Sequence, residues 1–167
     1  MISSTLHHLG IVVSDLERSM AFYGKAFGLI AVDRAVFSGP ELSAVVNVPQ
    51  ATLEYAFMSG ENVLVELIEY KSPSGLAFDR ANNDIGTAHL CFVVDDIDST
   101  YARLMDLGAT ASSAIQTAPD IEPFNGLRYA YCRDLDGITI ELFQPGDGPL
   151  SLPRLLLAGR RLAEPTP

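Results

Sequence analysis

The sequence predicts an α+β protein made of two copies of a β-α-β-β-β module, and three observations point there. The segment HLGIVVSDLERS (His8–Ser19) recurs as HLCFVVDDIDST (His89–Thr100), with His89 over His8 at an offset of 89 − 8 = 81. The register persists where AFGL (Ala26–Leu29) meets DLGA (Asp106–Ala109), at an offset of 80. It returns where VELI (Val65–Ile68) matches IELF (Ile140–Phe143), with Glu141 over Glu66 at 141 − 66 = 75. Self-similarity at a fixed spacing is the signature of a repeated structural unit. Here it also sets four metal-capable side chains, His8, Glu66, His89 and Glu141, at two pairs of equivalent positions.

The 167 residues suit one domain formed by two fused half-size modules. The expected bounds are 5–70 for the first module, 71–85 for a polar, turn-rich connection, 86–145 for the second module and 146–167 for a C-terminal extension. A hydrophobic content of 48% and a mean hydropathy of +0.20 supply a substantial core. A formal net charge of −10 argues against a nucleic-acid partner, which needs clustered Lys and Arg. No apolar run approaches the roughly 18–20 residues of a membrane span, and no basic-then-apolar leader begins the chain. Two cysteines, Cys91 and Cys132, are too few for a disulfide framework, so a reduced, cytoplasmic setting is expected.

In the first module residues 6–13 read as a strand, with Asp15 or Ser14 capping a helix from Leu16 to about Phe27. Gly28 closes that helix. Leu29–Phe37 and Thr52–Met58 read as strands joined through a turn at SGPEL. Gly60-Glu61-Asn62 turns the chain into a strand over Val63–Tyr70. There Val63, Val65 and Leu67 alternate with Leu64, Glu66 and Ile68, so both faces look buried and Glu66 requires a partner.

The second module repeats this order. A strand at Thr87–Val94 precedes a helix at Ile97–Leu107 ended by Gly108. Strands are expected near Thr110–Ile115, Leu127–Cys132 and Ile138–Phe143, with Asp134–Gly137 as the last hairpin turn. Glu141 is again a lone carboxylate on an apolar strand. Beyond Gln144, Leu152–Leu162 has the spacing of a short amphipathic helix suited to packing on the domain or across a dimer interface.

Two imidazoles and two carboxylates form an N2O2 donor set for a divalent ion such as Zn, Ni, Co, Mn or Fe, without selecting among them. An octahedral ion would keep two positions for water or substrate. His7 is expected to point away from His8 by strand alternation. Cys91, two residues from His89, is expected to be a small buried hydrophobe.

The segments HHLGIVVSDLERSMAFY, VELIE, GTAHLCFVVDDID and DLDGITIELFQP resemble the vicinal oxygen chelate superfamily over about residues 5–145. That superfamily includes glyoxalase I, methylmalonyl-CoA epimerase, extradiol dioxygenases and the fosfomycin and bleomycin resistance proteins. The resemblance implies paired βαβββ modules forming an open, cup-shaped sheet around a metal, with His8, Glu66, His89 and Glu141 as ligands. It does not choose the reaction, since one fold hosts many chemistries.

An extradiol dioxygenase keeps three positions free for catechol and dioxygen, so a fourth ligand at Glu66 disfavours it. Two vacancies suit a small molecule with adjacent oxygens, such as a sugar-like α-hydroxy ketone or an acyl-CoA. The metal would stabilise an enediolate or enolate while a carboxylate moves the proton, as in an epimerase or isomerase. Glu141 is the expected base, with Glu66 as its partner on the opposite face. Glyoxalase I, a lactoylglutathione lyase, shares the ligand set, but its substrate carboxylates call for cations, for which Lys71, Arg80 and Arg128 are available. Methylmalonyl-CoA epimerases usually carry Gln in place of Glu66, and their additional Glu has only Glu41 and Glu54 as counterparts here. A non-catalytic drug-binding role is the remaining alternative. Tyr55, Phe57, Phe124, Arg128 and Tyr129 are the candidate substrate contacts, and a homodimer is expected.

Overall fold

Strands with an apolar face need a cover, and each half of the repeat supplies one amphipathic helix for that purpose. The computed structural model describes residues 6–120 and 124–146. The chain divides into two units, Met1–Phe78 and Asp79–Pro167.

The first unit contains β1 (Leu9–Val12), α1 (Leu16–Phe27), β2 (Ile30–Ser38), α2 (Pro40–Val46), β3 (Thr52–Ser59) and β4 (Leu64–Ser72). Its sheet has the order β1-β4-β3-β2, with β1 parallel to β4 and the other pairs antiparallel. Asp15 caps α1 by accepting from the Arg18 amide. Leu16, Phe22, Tyr23 and Ala26 of α1 are buried with Ala56, Met58, Val65 and Leu67 of the sheet. At the far end Gly28 takes φ 71°, and its N–H reaches the Gly24 carbonyl at 2.9 Å. A Cβ placed on Gly28 would meet nothing within 4 Å. Gly28→Ala is therefore expected to cost about 1–2 kcal/mol from backbone strain alone. A urea midpoint unchanged from wild type would contradict this.

The second unit contains β5 (His89–Val93), α3 (Ile97–Asp106), β6 (Thr110–Ala111), β7 (Gln116–Thr117), β8 (Arg128–Arg133) and β9 (Thr139–Gln144). The order is β5-β9-β8-β6, with β7 also pairing to β8. Asp96 caps α3 as Asp15 caps α1. Ile97, Thr100 and Leu104 of α3 are buried with Ala130, Cys132, Ile140 and Leu142.

The two units agree down to single hydrogen bonds. The Val13 amide donates to the Ile68 carbonyl at 2.8 Å, and the Val94 amide to the Phe143 carbonyl at 2.9 Å. The first helical amides, of Leu16 and Ile97, donate to the side chains of Glu69 and Gln144, which are themselves equivalent. The mixed α+β architecture of two such modules is as the repeat predicts.

Four local expectations change. SGPEL is not merely a turn, because Pro40 at the first helical position, with Glu41 behind it, starts the short helix α2. The strand expected over Thr110–Ile115 is broken into β6 and β7. The Ser112 and Ser113 amides share the Tyr131 carbonyl, and Ser113 Oγ accepts from the Tyr131 amide. β1 and β5 begin at Leu9 and His89, later than expected, whereas β4 continues to Ser72 into the segment read as a connection. Finally, Leu64, Glu66 and Ile68 are only half-buried, so one face of β4 is partly open. The helix expected at Leu152–Leu162 lies outside the described residues. No helix among the described residues is long and apolar enough to cross a membrane.

Candidate metal centre

In the first unit the open face of the sheet carries His8 and Glu66. His8 sits directly before β1, and Glu66 is opposite Gly10 in the β1–β4 register. His8 Nε2 lies 3.2 Å from Glu66 Oε2, with the side chains 36% and 20% exposed. A Cβ at Gly10 would come 3.4 Å from that carboxylate oxygen, so the glycine leaves room beside it. Phe57, opposite Glu66 in β3, presents its ring edge-on to His8 at 5.3 Å. Tyr55 lies 5.1 Å from Phe57, stacks on Phe37, and donates to Asp33 at 2.6 Å. That carboxylate holds the Tyr55 phenol above its ordinary pKa.

His7 is not turned away from His8. Their Nδ1 atoms are 2.8 Å apart and the rings meet edge to face at 5.1 Å. Both residues precede the paired strand, so strand alternation does not apply to them. His7 braces the outer nitrogen of His8, the position at which metal-binding imidazoles ordinarily hold an orienting partner.

The second unit has the equivalent pair. His89 Nε2 lies 3.0 Å from Glu141 Oε2, with the side chains 46% and 16% exposed. Tyr131 stands opposite Glu141 in β8, and its ring meets His89 edge-on at 5.7 Å. Cys91 stands opposite Glu141 in β5. It is exposed on this face, so it is not the small buried hydrophobe expected. Protein packed around its sulfur, followed by the Glu141 charge and a hydrogen bond to Glu141, pushes the thiol up to about 12. Burial and a hydrogen bond to Glu141 push the Tyr131 phenol up to about 12 as well. Among the described residues no three or more His, Cys, Asp or Glu side chains gather into a group that could hold a metal ion. Each unit offers one imidazole and one carboxylate.

The other predicted contacts divide by strand face. Tyr129 shares the Glu141 face, one register step away opposite Phe143. Phe124 is half-exposed in the loop before β8. Arg128 lies on the helix side instead, where its guanidinium grips Asp98 of α3 through two bonds of 2.6 and 2.9 Å. It shares the strand face of Ala130 and Cys132, which α3 covers. Lys71 is also engaged, at 2.7 Å from Glu69 and 3.2 Å from Glu54. Glu54 additionally binds Arg34, which reaches Glu17.

These ion pairs carry an acid sensitivity. Arg128 holds Asp98 below the ordinary carboxylate range, and Arg34, then Lys71, hold Glu54 there. A carboxyl with a lowered folded pKa contributes stability that is fully present above its unfolded value. That stability is lost as pH falls through the folded value. The urea midpoint is thus expected to hold steady above about pH 5 and to fall below about pH 4. Because the pairs are exposed, the fall is modest. Asp98→Asn should shrink it, and an undiminished fall in that variant would place the sensitivity elsewhere.

Comparison with known families supplies the family. Residues 5–142, a span that includes all four candidate ligands, match the Glyoxalase/Bleomycin resistance protein/Dioxygenase superfamily. The chain belongs to this superfamily. A glyoxalase-family protein from Bacillus cereus has the same fold, with a TM-score of 0.74 and 26% identity over 87% of this chain and 98% of its own. The lactoylglutathione lyase of Schizosaccharomyces pombe is 30% identical over 66% of this chain, a stretch that spans 39% of the yeast protein. Human mitochondrial methylmalonyl-CoA epimerase is 27% identical over 83% of this chain and 73% of its own length. Superfamily membership accounts for the duplicated scaffold and leaves the reaction open, because these two named relatives carry out different ones.

Proposed function

We propose that this superfamily member is a divalent-metal-dependent epimerase or isomerase acting on a small molecule with oxygens on adjacent carbons. His8 with Glu66 and His89 with Glu141 are read as metal ligands, an imidazole and a carboxylate from each unit. The observation that carries this is the duplicated pair. In each unit an imidazole Nε2 and a carboxylate oxygen sit side by side, half-open to solvent, at equivalent positions on equivalent strands. Imidazole and carboxylate donors fit Zn, Ni, Co, Mn or Fe. When bound, such a cation supplies Lewis-acid polarisation of the two substrate oxygens.

The protein's own groups do the rest. Glu66 and Glu141 are the carboxylates that take a proton from the carbon beside the carbonyl and return it. Tyr55 and Phe57 in the first unit, and Tyr129 in the second, line the ligand-bearing faces and are read as the walls that orient the carbon skeleton and exclude water. Phe124, in its loop, is read as a further contact.

The charges favour an uncharged, sugar-like α-hydroxy ketone over an acyl-CoA or a glutathione adduct. Of the three cations available for an anionic substrate, Lys71 and Arg128 are already paired with carboxylates. A lactoylglutathione lyase is the second reading, favoured by the identity to the yeast enzyme and the shared ligand types. A homodimer and a cytoplasmic setting belong to the same proposal.

Metal analysis of the purified protein tests the first half, with one divalent ion per chain expected. Proton NMR in D2O with dihydroxyacetone and tetroses as probes tests the second, with solvent deuterium entering the carbon next to the carbonyl. Exchange confined to methylglyoxal plus glutathione would transfer the assignment to the lyase. Oxygen uptake with catechol would instead indicate a dioxygenase. Stoichiometric binding of an intact drug, with no metal and no exchange, would overturn the enzyme reading.

A further inference from the structure

The two modules end their sheets on equivalent outer edges, and those edges are built differently. In the second unit the edge is β6, two residues long, before Ser112 and Ser113 bend the chain onto the Tyr131 carbonyl. Short, broken edge strands keep a sheet from pairing with another chain. In the first unit the edge is β2, nine residues and about 30 Å long. It contains no Pro and no Lys, and its bulge, between Ala31 and Asp33, leaves residues 33–38 in unbroken register. Its outer row of amides and carbonyls, on the side away from β3, is a template for one more strand.

The surface around that edge is apolar and nearly uncharged. Every β2 residue except Ala35 is exposed, because α1 packs over β3 and β4 and β2 lies beyond them. Ile30, Val32, Val36 and Phe37 are half-exposed or more. The helix α2, which packs on β2, buries none of its own residues, and its Val45 is 84% exposed. Those five side chains offer on the order of 500 Å² on each copy, toward the ~800 Å² per partner of a standard interface, and the main-chain edge adds to it. Across residues 30–46 the charged side chains are Asp33, Arg34 and Glu41, which sum to −1 in a chain of −10. Asp33 accepts from Tyr55, and Arg34 is held by Glu17 and Glu54. Copies of a strongly acidic chain repel one another least across such a neutral face.

We infer that β2 pairs antiparallel with β2 of a second copy, with α2 flanking the joint, and that this edge is the homodimer interface. An edge paired with its own copy is related to it by a two-fold axis, so the assembly closes at two chains and hides both templates. The interface rests on the homodimer of the reading above and is independent of the metal and the reaction.

Sedimentation velocity of the full-length protein over a dilution series reads the dimer constant. Val36→Lys places a cation on both copies at once and is expected to weaken the dimer at least about 100-fold. Because Val36 is exposed, the circular dichroism of this variant should match wild type. Val12→Lys, on the opposite edge of the same sheet, is expected to keep the dimer constant within about 3-fold. Hydrogen exchange supplies a readout without substitution, since the wild-type amides of residues 30–38 should slow as the protein is concentrated. A dimer that survives Val36→Lys, or that dissociates in Val12→Lys instead, would overturn this interface and leave the homodimer standing. Exchange at residues 30–38 that stays constant while the protein dimerises would do the same. A wild-type chain that stays monomeric throughout would overturn the interface and the homodimer together, while metal analysis still judges the ligands.

Discussion

Alanine in place of Glu141 is expected to empty the metal centre and leave the fold standing, and His89→Ala should do the same. Each removes one of two donors that its unit contributes. The loss in affinity should exceed the roughly 10–100-fold that an outer partner supplies, because a direct ligand is gone. The fold is expected to survive because neither side chain belongs to the core. His89 is 46% exposed, and both residues lie on the face turned away from α3. Removing the carboxylate leaves the Tyr131 and Cys91 donors on a face that water reaches, so no buried group is stranded. Metal analysis together with far-ultraviolet circular dichroism checks both halves. A full metal equivalent in either variant would strike that residue from the ligand set. Loss of helical signal would show that the residue holds structure.

Leu67→Ala has the opposite signature. Leu67 is 0% exposed in β4, which packs against α1, and Val65 of β4 and Leu16 and Tyr23 of α1 are likewise wholly buried. Truncating a buried leucine removes its transfer energy and leaves a void, at a cost of about 2–5 kcal/mol. Against a total stability of about 5–15 kcal/mol, that is a large fraction. The urea midpoint should fall accordingly, while the protein that remains folded should bind cobalt as wild type does, because Leu67 points away from Glu66 along the strand. A cost below about 1 kcal/mol would mean that α1 closes onto the gap.

The sequence by itself determined what depends on spacing along the chain. The offsets of 81 and 75 located both modules and aligned His8 with His89 and Glu66 with Glu141. The cap at Asp15 and the left-handed Gly28 are local devices, so α1 appears over Leu16–Phe27 as predicted. Period-two patterning likewise separated each carboxylate from its strand's buried row, Val65 with Leu67 and Ile140 with Leu142, although it read both faces as buried.

Only the tertiary structure decided which side chains meet across strands and between strand and helix. Alternation orients a residue only inside a paired strand, so it misplaced His7, which lies before β1. It put Cys91 on the ligand face correctly but not its exposure, which depends on what covers that face. Arg128 was expected to meet substrate, but a covering helix presents Asp98 to it first. The contrast between Phe57 and Tyr131 is written in the sequence, yet it has no meaning until the β3–β4 and β8–β9 registers bring each ring opposite its carboxylate. Periodicity reports the direction of a side chain, whereas its partner is fixed by hydrogen-bonded register between segments distant in the chain.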